Sequence, residues 1–196
     1  LQHCRHLDRL VLATSDHSSD VKLAYLVSAA GFKVFRGDLH DVLERFRACS
    51  AQEQANTVVR LTGDCPLSDP ALIDELVEAF ANEGWDYLAN CADEQQLSVP
   101  DGFDAEIFSV DLLNEAYKNS TSQFEREHVT PYIVKNYGKN YYKIPFTKTF
   151  DMDVTDFHYS VDTQEDFDKV TKVFDCLYPA KNDFTLYDIL VKYYKE

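Results

Sequence analysis

Hydrophobic positions in this 196-residue chain switch between contiguous apolar runs and the three-to-four-residue spacing of amphipathic helices. Residues 10–14 read as a strand. From 20 to 30 the spacing brings Leu23, Leu26, Val27 and Ala30 to one helical face, and Gly31 supplies a stop. Residues 33–37 read as strand and turn. A helix follows over 41–51 with Val42, Leu43 and Phe46 inward, and 56–64 has the β-branched, apolar character of a buried strand.

The next helix has the clearest start. Asp69 can cap it, Pro70 suits its first position, and Leu72, Ile73, Leu76, Val77 and Phe80 form one stripe. Residues 85–90 read as a short strand, and 91–102 as a polar surface loop that could cover a site. The extended pattern resumes at 104–109, followed by helices starting near Ser109 and near Ser122, where Ser122 and Glu125 have capping-box spacing. Residues 141–146 and 157–161 are strand candidates. Thr163 and Asp166 flank the start of a helix carrying Phe167, Val170, Phe174 and Leu177 on its apolar side, and a last helix covers 184–193.

Strands interleaved with helices predict an α/β sandwich with a largely parallel sheet, the middle of the chain contributing antiparallel strands. Without repeats or an interdomain linker, residues 1–196 are expected to form a single domain.

Composition narrows the function. The formal charge of −15 repels polyanions, and no basic patch is evident, so nucleic-acid binding is not expected. No apolar run approaches the roughly 20 residues that span a bilayer, so no membrane role is expected. Five cysteines without CxxC spacing predict reduced thiols in a cytoplasmic protein. The chain starts at Leu1 and its one methionine is Met152, so an upstream element is expected to be missing.

The richest segment for chemistry is Val58-Val59-Arg60-Leu61-Thr62-Gly63-Asp64-Cys65-Pro66-Leu67. A strand running into a glycine turn places Asp64 at a strand's carboxyl end, where open α/β sheets bind ligands. Asp64 either makes an Asx turn or holds magnesium on a nucleoside triphosphate. Asp162, between an extended segment and a helix start, either caps that helix or joins Asp64 at the ion. Arg60 either pairs structurally or faces the cleft, where its guanidinium would hold phosphate or carboxylate.

The segment Pro100-Asp101-Gly102-Phe103-Asp104-Ala105-Glu106 allows close backbone approach at Gly102 and puts Asp104 and Glu106 on one strand face, as a site or as an exposed acidic edge. Arg126 and His128 lie in a helix-forming segment, where His128 either binds ligand or packs between Phe124 and Tyr132. Asp151 and Asp153 match the DxD pair of metal-dependent glycosyltransferases, or form a solvated acidic turn.

VFRGDLHDVLERF, VVRLTGDCPLSDPALIDELV, PDGFDAEIFS, REHVTPYI and YSVDTQEDF, in this order over nearly the whole chain, resemble the spore-coat-polysaccharide cytidylyltransferase family, within the wider group of acylneuraminate and ketodeoxyoctonate cytidylyltransferases. The resemblance implies a nucleotide-diphospho-sugar transferase-like three-layer α/β sandwich with a mostly parallel mixed sheet. It also implies Mg2+ dependence and transfer of CMP from CTP to a sugar or sugar acid, with pyrophosphate released. Asp64 and Asp162 match the metal-binding aspartates and, with Arg60, the catalytic set; Gly63, Gly102, Asp104, Glu106, Arg126 and His128 match substrate-binding motifs.

A homodimer is implied too. The family's first strand and its Arg-, Gly- and Lys-containing nucleotide loop have no counterpart here, so these 196 residues alone are expected to be weak or inactive. A glycosyltransferase using a preformed nucleotide sugar, and a degenerate nucleotide-sugar sensor or assembly domain, are the alternatives.

Overall fold

In a computed structural model, which describes residues 1–91, 99–137 and 157–194, the first two strands form a parallel pair. β1 (Val11–Ser15) lies beside β2 (Lys33–Gly37), Val11 opposite Lys33 and Ser15 opposite Gly37, with α1 (Val21–Ala29) as the crossover. A second sheet comes from the middle of the chain, where the sequence places antiparallel strands. β5 (Glu106–Ser109) is central and antiparallel to both β3 (Thr57–Arg60) and β4 (Tyr87–Ala89).

Period-2 alternation in β5 decides how helices cover this sheet. Phe108 points to a cluster with Leu43 of α2 (Val42–Glu53), Leu113 of α4 (Val110–Asn119) and Ile133 of α6 (Pro131–Tyr137). Ile107 points the other way, to Ile73 and Leu76 of α3 (Pro70–Glu83). Helices therefore sandwich the sheet. A third cluster joins Leu72 and Phe103 to Val170 and Val173 of α7 (Gln164–Leu177) and Ile189 of α8 (Leu186–Tyr194). Fully burying a side chain such as Phe108 contributes roughly 2–3 kcal/mol.

Helix starts follow the capping chemistry. Asp69 accepts from the Ala71 amide at 2.8 Å, and its other oxygen accepts from the Leu186 amide at 2.8 Å, so one buried carboxylate caps both α3 and α8. Ser122 with Glu125 caps α5 (Gln123–His128), and Thr163 with Asp166 caps α7, each as a full capping box.

Three expectations are corrected. In α1 only Ala24 is buried, while Leu23 and Leu26 are 47% and 54% exposed, because the two-stranded β1–β2 sheet offers little surface to cover them. In α7 the buried stripe is Val170 and Val173, with Phe167 and Phe174 exposed. Residues 157–161 make a single parallel bridge, Asp101 to His158, in place of a strand. The strand expected at 141–146 lies outside the described residues.

That bridge is tight. Gly102 has φ +95°, and a Cβ there would sit 2.4 Å from the Tyr159 carbonyl carbon and 2.5 Å from the Ser160 nitrogen. Gly63 differs, since a Cβ there meets nothing within 4 Å and its φ is ordinary. Gly102→Ala is expected to destabilise the protein by ~3 kcal/mol or more in urea denaturation, and Gly63→Ala by under ~1 kcal/mol. Equal effects would contradict the close-approach account.

Candidate active site

Antiparallel register sets Arg60 directly opposite Glu106. The Arg60 Nη1 donates to Glu106 Oε2 at 2.5 Å, and the Tyr87 hydroxyl donates to Glu106 Oε1 at 2.8 Å. Both Glu106 oxygens are thus engaged and the guanidinium is fixed, with its buried Nε lacking a hydrogen-bond partner. Two residues earlier, Asp104 is placed by its neighbours. Buried Asn90 donates to the Phe103 carbonyl at 2.9 Å and accepts from the Ala105 amide at 2.7 Å, clamping the main chain on both sides of Asp104.

Phe103 and Ala105 face the core, so alternation puts Asp104 and Glu106 on the other side, where both line an open pocket of about 350 Å³ with Arg60, Thr62 and His128. Burial, reinforced by the charge of Asp101, pushes the Asp104 carboxyl up to about 6 against a donation from the Gly102 amide.

The far wall comes from α5 and a strained turn. Val129 is fully buried at φ 71° and ψ −57°, and the Thr130 amide donates to the His128 carbonyl at 2.8 Å, which makes a positive-φ γ-turn. A β-branched residue in this conformation costs about 1–3 kcal/mol. The turn aims His128 and Thr130 at the pocket. Phe124 also lines it, its ring 4.5 Å from that of His128.

A carboxylate-rich edge adjoins the pocket. The Val161 amide donates to the Asp64 carbonyl at 2.8 Å, so Asp64 and Asp162 sit on touching segments. The Tyr159 amide donates to the Asp101 carbonyl at 2.9 Å, which brings in a third segment. Ser160 Oγ donates to Asp101 Oδ2 at 2.8 Å and lies 3.3 Å from Asp162 Oδ2. His158 Nδ1 pairs with Asp101, and its Nε2 is 3.9 Å from Asp162 Oδ2 and 3.6 Å from Asp166 Oδ1. The ligand atoms of His158, Asp162 and Asp166 lie within 4.8 Å of one another. Asp166 is committed to its cap, and the donations from Thr163 hold its carboxyl below the usual range.

Of the residues singled out in the sequence, the structure brings Arg60, Asp104, Glu106 and His128 to one pocket and Asp64, Gly102 and Asp162 to the neighbouring edge. Gly63 sits in the turn between them. Arg126 lies elsewhere. Its guanidinium donates to Asp41 Oδ2 at 3.1 Å and to the Tyr117 and Ser120 carbonyls, and stacks 4.5 Å from the Tyr117 ring centre, bracing α5 on α2 and α4. Asp151 and Asp153 lie outside the described residues. Sequence reasoning missed Thr62, Thr130, Phe124, Asn90, His158 and Ser160. Thr62, Thr130 and Ser160 sat inside quoted motifs, Phe124 beside His128 in a helix-forming segment, and Asn90 and His158 inside expected strands, yet none was singled out as a site residue.

A family model described as cytidylyltransferase matches residues 1–195. The chain is similar to the uncharacterized protein MJ1063 of Methanocaldococcus jannaschii, 36% identical over 136 residues covering 69% of this chain and 54% of that protein. It is also similar to the spore coat polysaccharide biosynthesis protein SpsF of Bacillus subtilis, 31% identical over 169 residues covering 85% of this chain and 67% of that protein. The chain thus spans about half to two thirds of these relatives.

A solved cytidylyltransferase from Leptospira borgpetersenii superposes with a TM-score of 0.88 at 27% identity, over 100% of this chain and 79% of that one. CMP:2-keto-3-deoxy-manno-octonic acid synthetase complexed with CTP superposes with a TM-score of 0.62 at 12% identity, over 89% and 84%, and shares the fold.

The raised Asp104 carboxyl has a consequence for stability. Its folded value of about 6 exceeds the ordinary 3.8, so the folded state holds a proton that the unfolded chain releases between these values. The stabilisation is complete below the ordinary value and is lost as pH rises through about 6. Asp104→Asn is therefore expected to be more stable than wild type by about 1–2 kcal/mol at neutral pH, allowing for partial exposure, with the difference shrinking on acidification toward pH 4. Thermal melts across pH check this, and a neutral-pH loss of stability would contradict it.

Proposed function

The chain belongs to the cytidylyltransferase family, and from that premise we propose that it transfers CMP from CTP to a sugar or sugar acid and releases pyrophosphate. The observation carrying this reading is the junction of three segments. Those bearing Asp64, Asp101 and Asp162 meet at one edge, and the first two continue into the pocket through Thr62 and Asp104. A triphosphate at the edge and an acceptor in the pocket would then be neighbours, which is what phosphoryl-group transfer requires of a binding site.

Magnesium fits the residues at this edge. Asp64 and Asp162 are exposed oxygen donors on touching segments, and neither forms an ion pair with Lys or Arg among the described residues. Hard carboxylate donors in small number are what Mg2+ accepts, its remaining positions going to phosphate and water. When bound, the ion supplies charge neutralisation on the phosphates.

The chain's own groups do the rest. Ser160 and His158 hold the Asp101 carboxylate beside Asp162. Glu106, fixed by Arg60 and Tyr87, retains lone pairs that can accept from acceptor hydroxyls, and His128, Thr62 and Thr130 add polar contacts. Phe124 gives the pocket an apolar wall against which a sugar face can pack. No serine or cysteine nucleophile is needed; Cys65 beside Asp64 is buried, and desolvation pushes its thiol up to about 11.

We place the reaction in the cytoplasm, in keeping with five free cysteines. The homodimer is proposed with it, supported by the exposed Phe167, Phe174 and Tyr178 on and just after α7.

Product analysis by 31P NMR, with CTP, magnesium and a panel of sugar acids and neutral sugars, tests the reading in the longest natural form containing residues 1–196. CMP-sugar and pyrophosphate are expected. Asp64→Asn and Asp162→Asn should each lower transfer ~100-fold or more, with little change in melting temperature because both side chains are exposed. Transfer of sugar from a preformed nucleotide sugar, with CTP untouched, would overturn the proposal. CTP binding without any transfer would point to a sensor.

A further inference from the structure

Resting on the CTP-dependent transfer just described, we propose that Asp104 is its general base, accepting the proton of the acceptor hydroxyl as that oxygen bonds to the α-phosphorus. Nothing in the family comparison assigns this role, and the case comes from how the chain places Asp104.

Three observations combine. First, its backbone is immobilised by Asn90 on both sides, by the Pro100 carbonyl that accepts from the Phe103 amide at 3.2 Å, and by the Gly102 contact with Tyr159 and Ser160. A base must be held within hydrogen-bond reach of its proton, so rigid placement matters. Second, of the two pocket carboxylates only Glu106 is locked in an ion pair; Asp104 takes hydrogen bonds from the Gly102 amide and the Cys91 thiol. Glu106 is bound by Arg60 and Tyr87 through both oxygens, whereas Asp104 forms no ion pair among the described residues. Third, Asp104 stands between the two subsites, lining the pocket with Thr62 while lying three residues from Asp101 at the acidic edge.

The electrostatic surroundings agree. Burial and the negative Asp101 raise the carboxyl to about 6, with the Gly102 amide and Cys91 opposing and Glu106 adding to the rise. A base in that range is ionised at neutral pH yet still binds a proton well. The other titratable groups facing the pocket are Arg60, Cys91 and His128.

The step balances without a further reactant. The acceptor O–H bond breaks and its proton passes to an Asp104 oxygen. The freed electron pair forms the new bond to the α-phosphorus, and the bond from that phosphorus to the bridging oxygen breaks, its electron pair leaving with pyrophosphate. Asp104 then returns the proton to solvent through the open side of the pocket.

The test is the pH dependence of kcat for wild type, Asp104→Asn, Asp104→Glu and His128→Gln, with saturating CTP and magnesium and an acceptor that wild type uses. Wild-type kcat is expected to fall on acidification as the Asp104 carboxyl takes up a proton. Asp104→Asn should lower the neutral-pH kcat ~100-fold or more and abolish that acidic limb, while KM for CTP changes only a few-fold. Asp104→Glu, which keeps a carboxylate, and His128→Gln should both retain the limb.

Melting curves establish that each variant is folded, and Asp104→Glu serves if the Asn variant is not: a flat profile in folded Asp104→Glu overturns the assignment. An unchanged limb in Asp104→Asn, or its loss in His128→Gln, overturns the base assignment while leaving the transfer reading intact. Absence of any CTP-dependent product from wild type overturns both.

Discussion

The main-chain contact between Asp101–Gly102 and Tyr159–Ser160 is the constraint on which the site depends. It is an approach that no side chain at 102 could survive, since a Cβ would fall 2.4 Å from a carbonyl carbon. Because the chain passes so close, the Tyr159 amide reaches the Asp101 carbonyl and the Val161 amide reaches the Asp64 carbonyl. Three segments far apart in sequence thereby present Asp64, Asp101 and Asp162 along one edge. Backbone hydrogen bonds, rather than the mutually repelling carboxylates, create this proximity, and a cation is the natural complement to it.

The neighbouring pocket carries costs of its own. Asp104 is held where burial disfavours its charge, Val129 occupies a conformation that β-branched residues avoid, and the Arg60 Nε is buried without a partner. Such features persist only where surrounding structure over-determines them. Here the determinants are visible: Asn90 clamps one side, the Ser122–Glu125 box and the Arg126 brace fix α5, and the sheet core around Ile107 and Phe108 holds β5. Stability invested in the core offsets strain at the pocket, the usual relation between the two.

Much of this was legible in the sequence. Local chemistry marked the helix starts, with Asp69–Pro70, Ser122–Glu125 and Thr163–Asp166 all forming caps. Alternation put Asp104 and Glu106 on one face, and the expected approach of Asp64 and Asp162 is met by touching segments, although the strand read before Asp162 is absent. What sequence could not supply was burial that depends on distant partners. The stripe of Leu23 and Leu26 is periodic, yet only the neighbouring sheet decides whether it is covered. His158 and Ser160 acquire their meaning from Asp101, more than fifty residues earlier, and the Val129 turn has no signature in a run of ordinary residues. Arg126, conspicuous by its charge, serves helix packing.

The central claim is that these segments surround one nucleotide-bound cation. Amide NMR during titration with Mn2+ in the presence of CTP reads it directly, because a paramagnetic ion broadens nearby resonances. The account predicts simultaneous broadening at residues 62–65, 101–102 and 160–163, dependent on CTP. Broadening confined to one segment, or centred on a distant part of the chain, would contradict it.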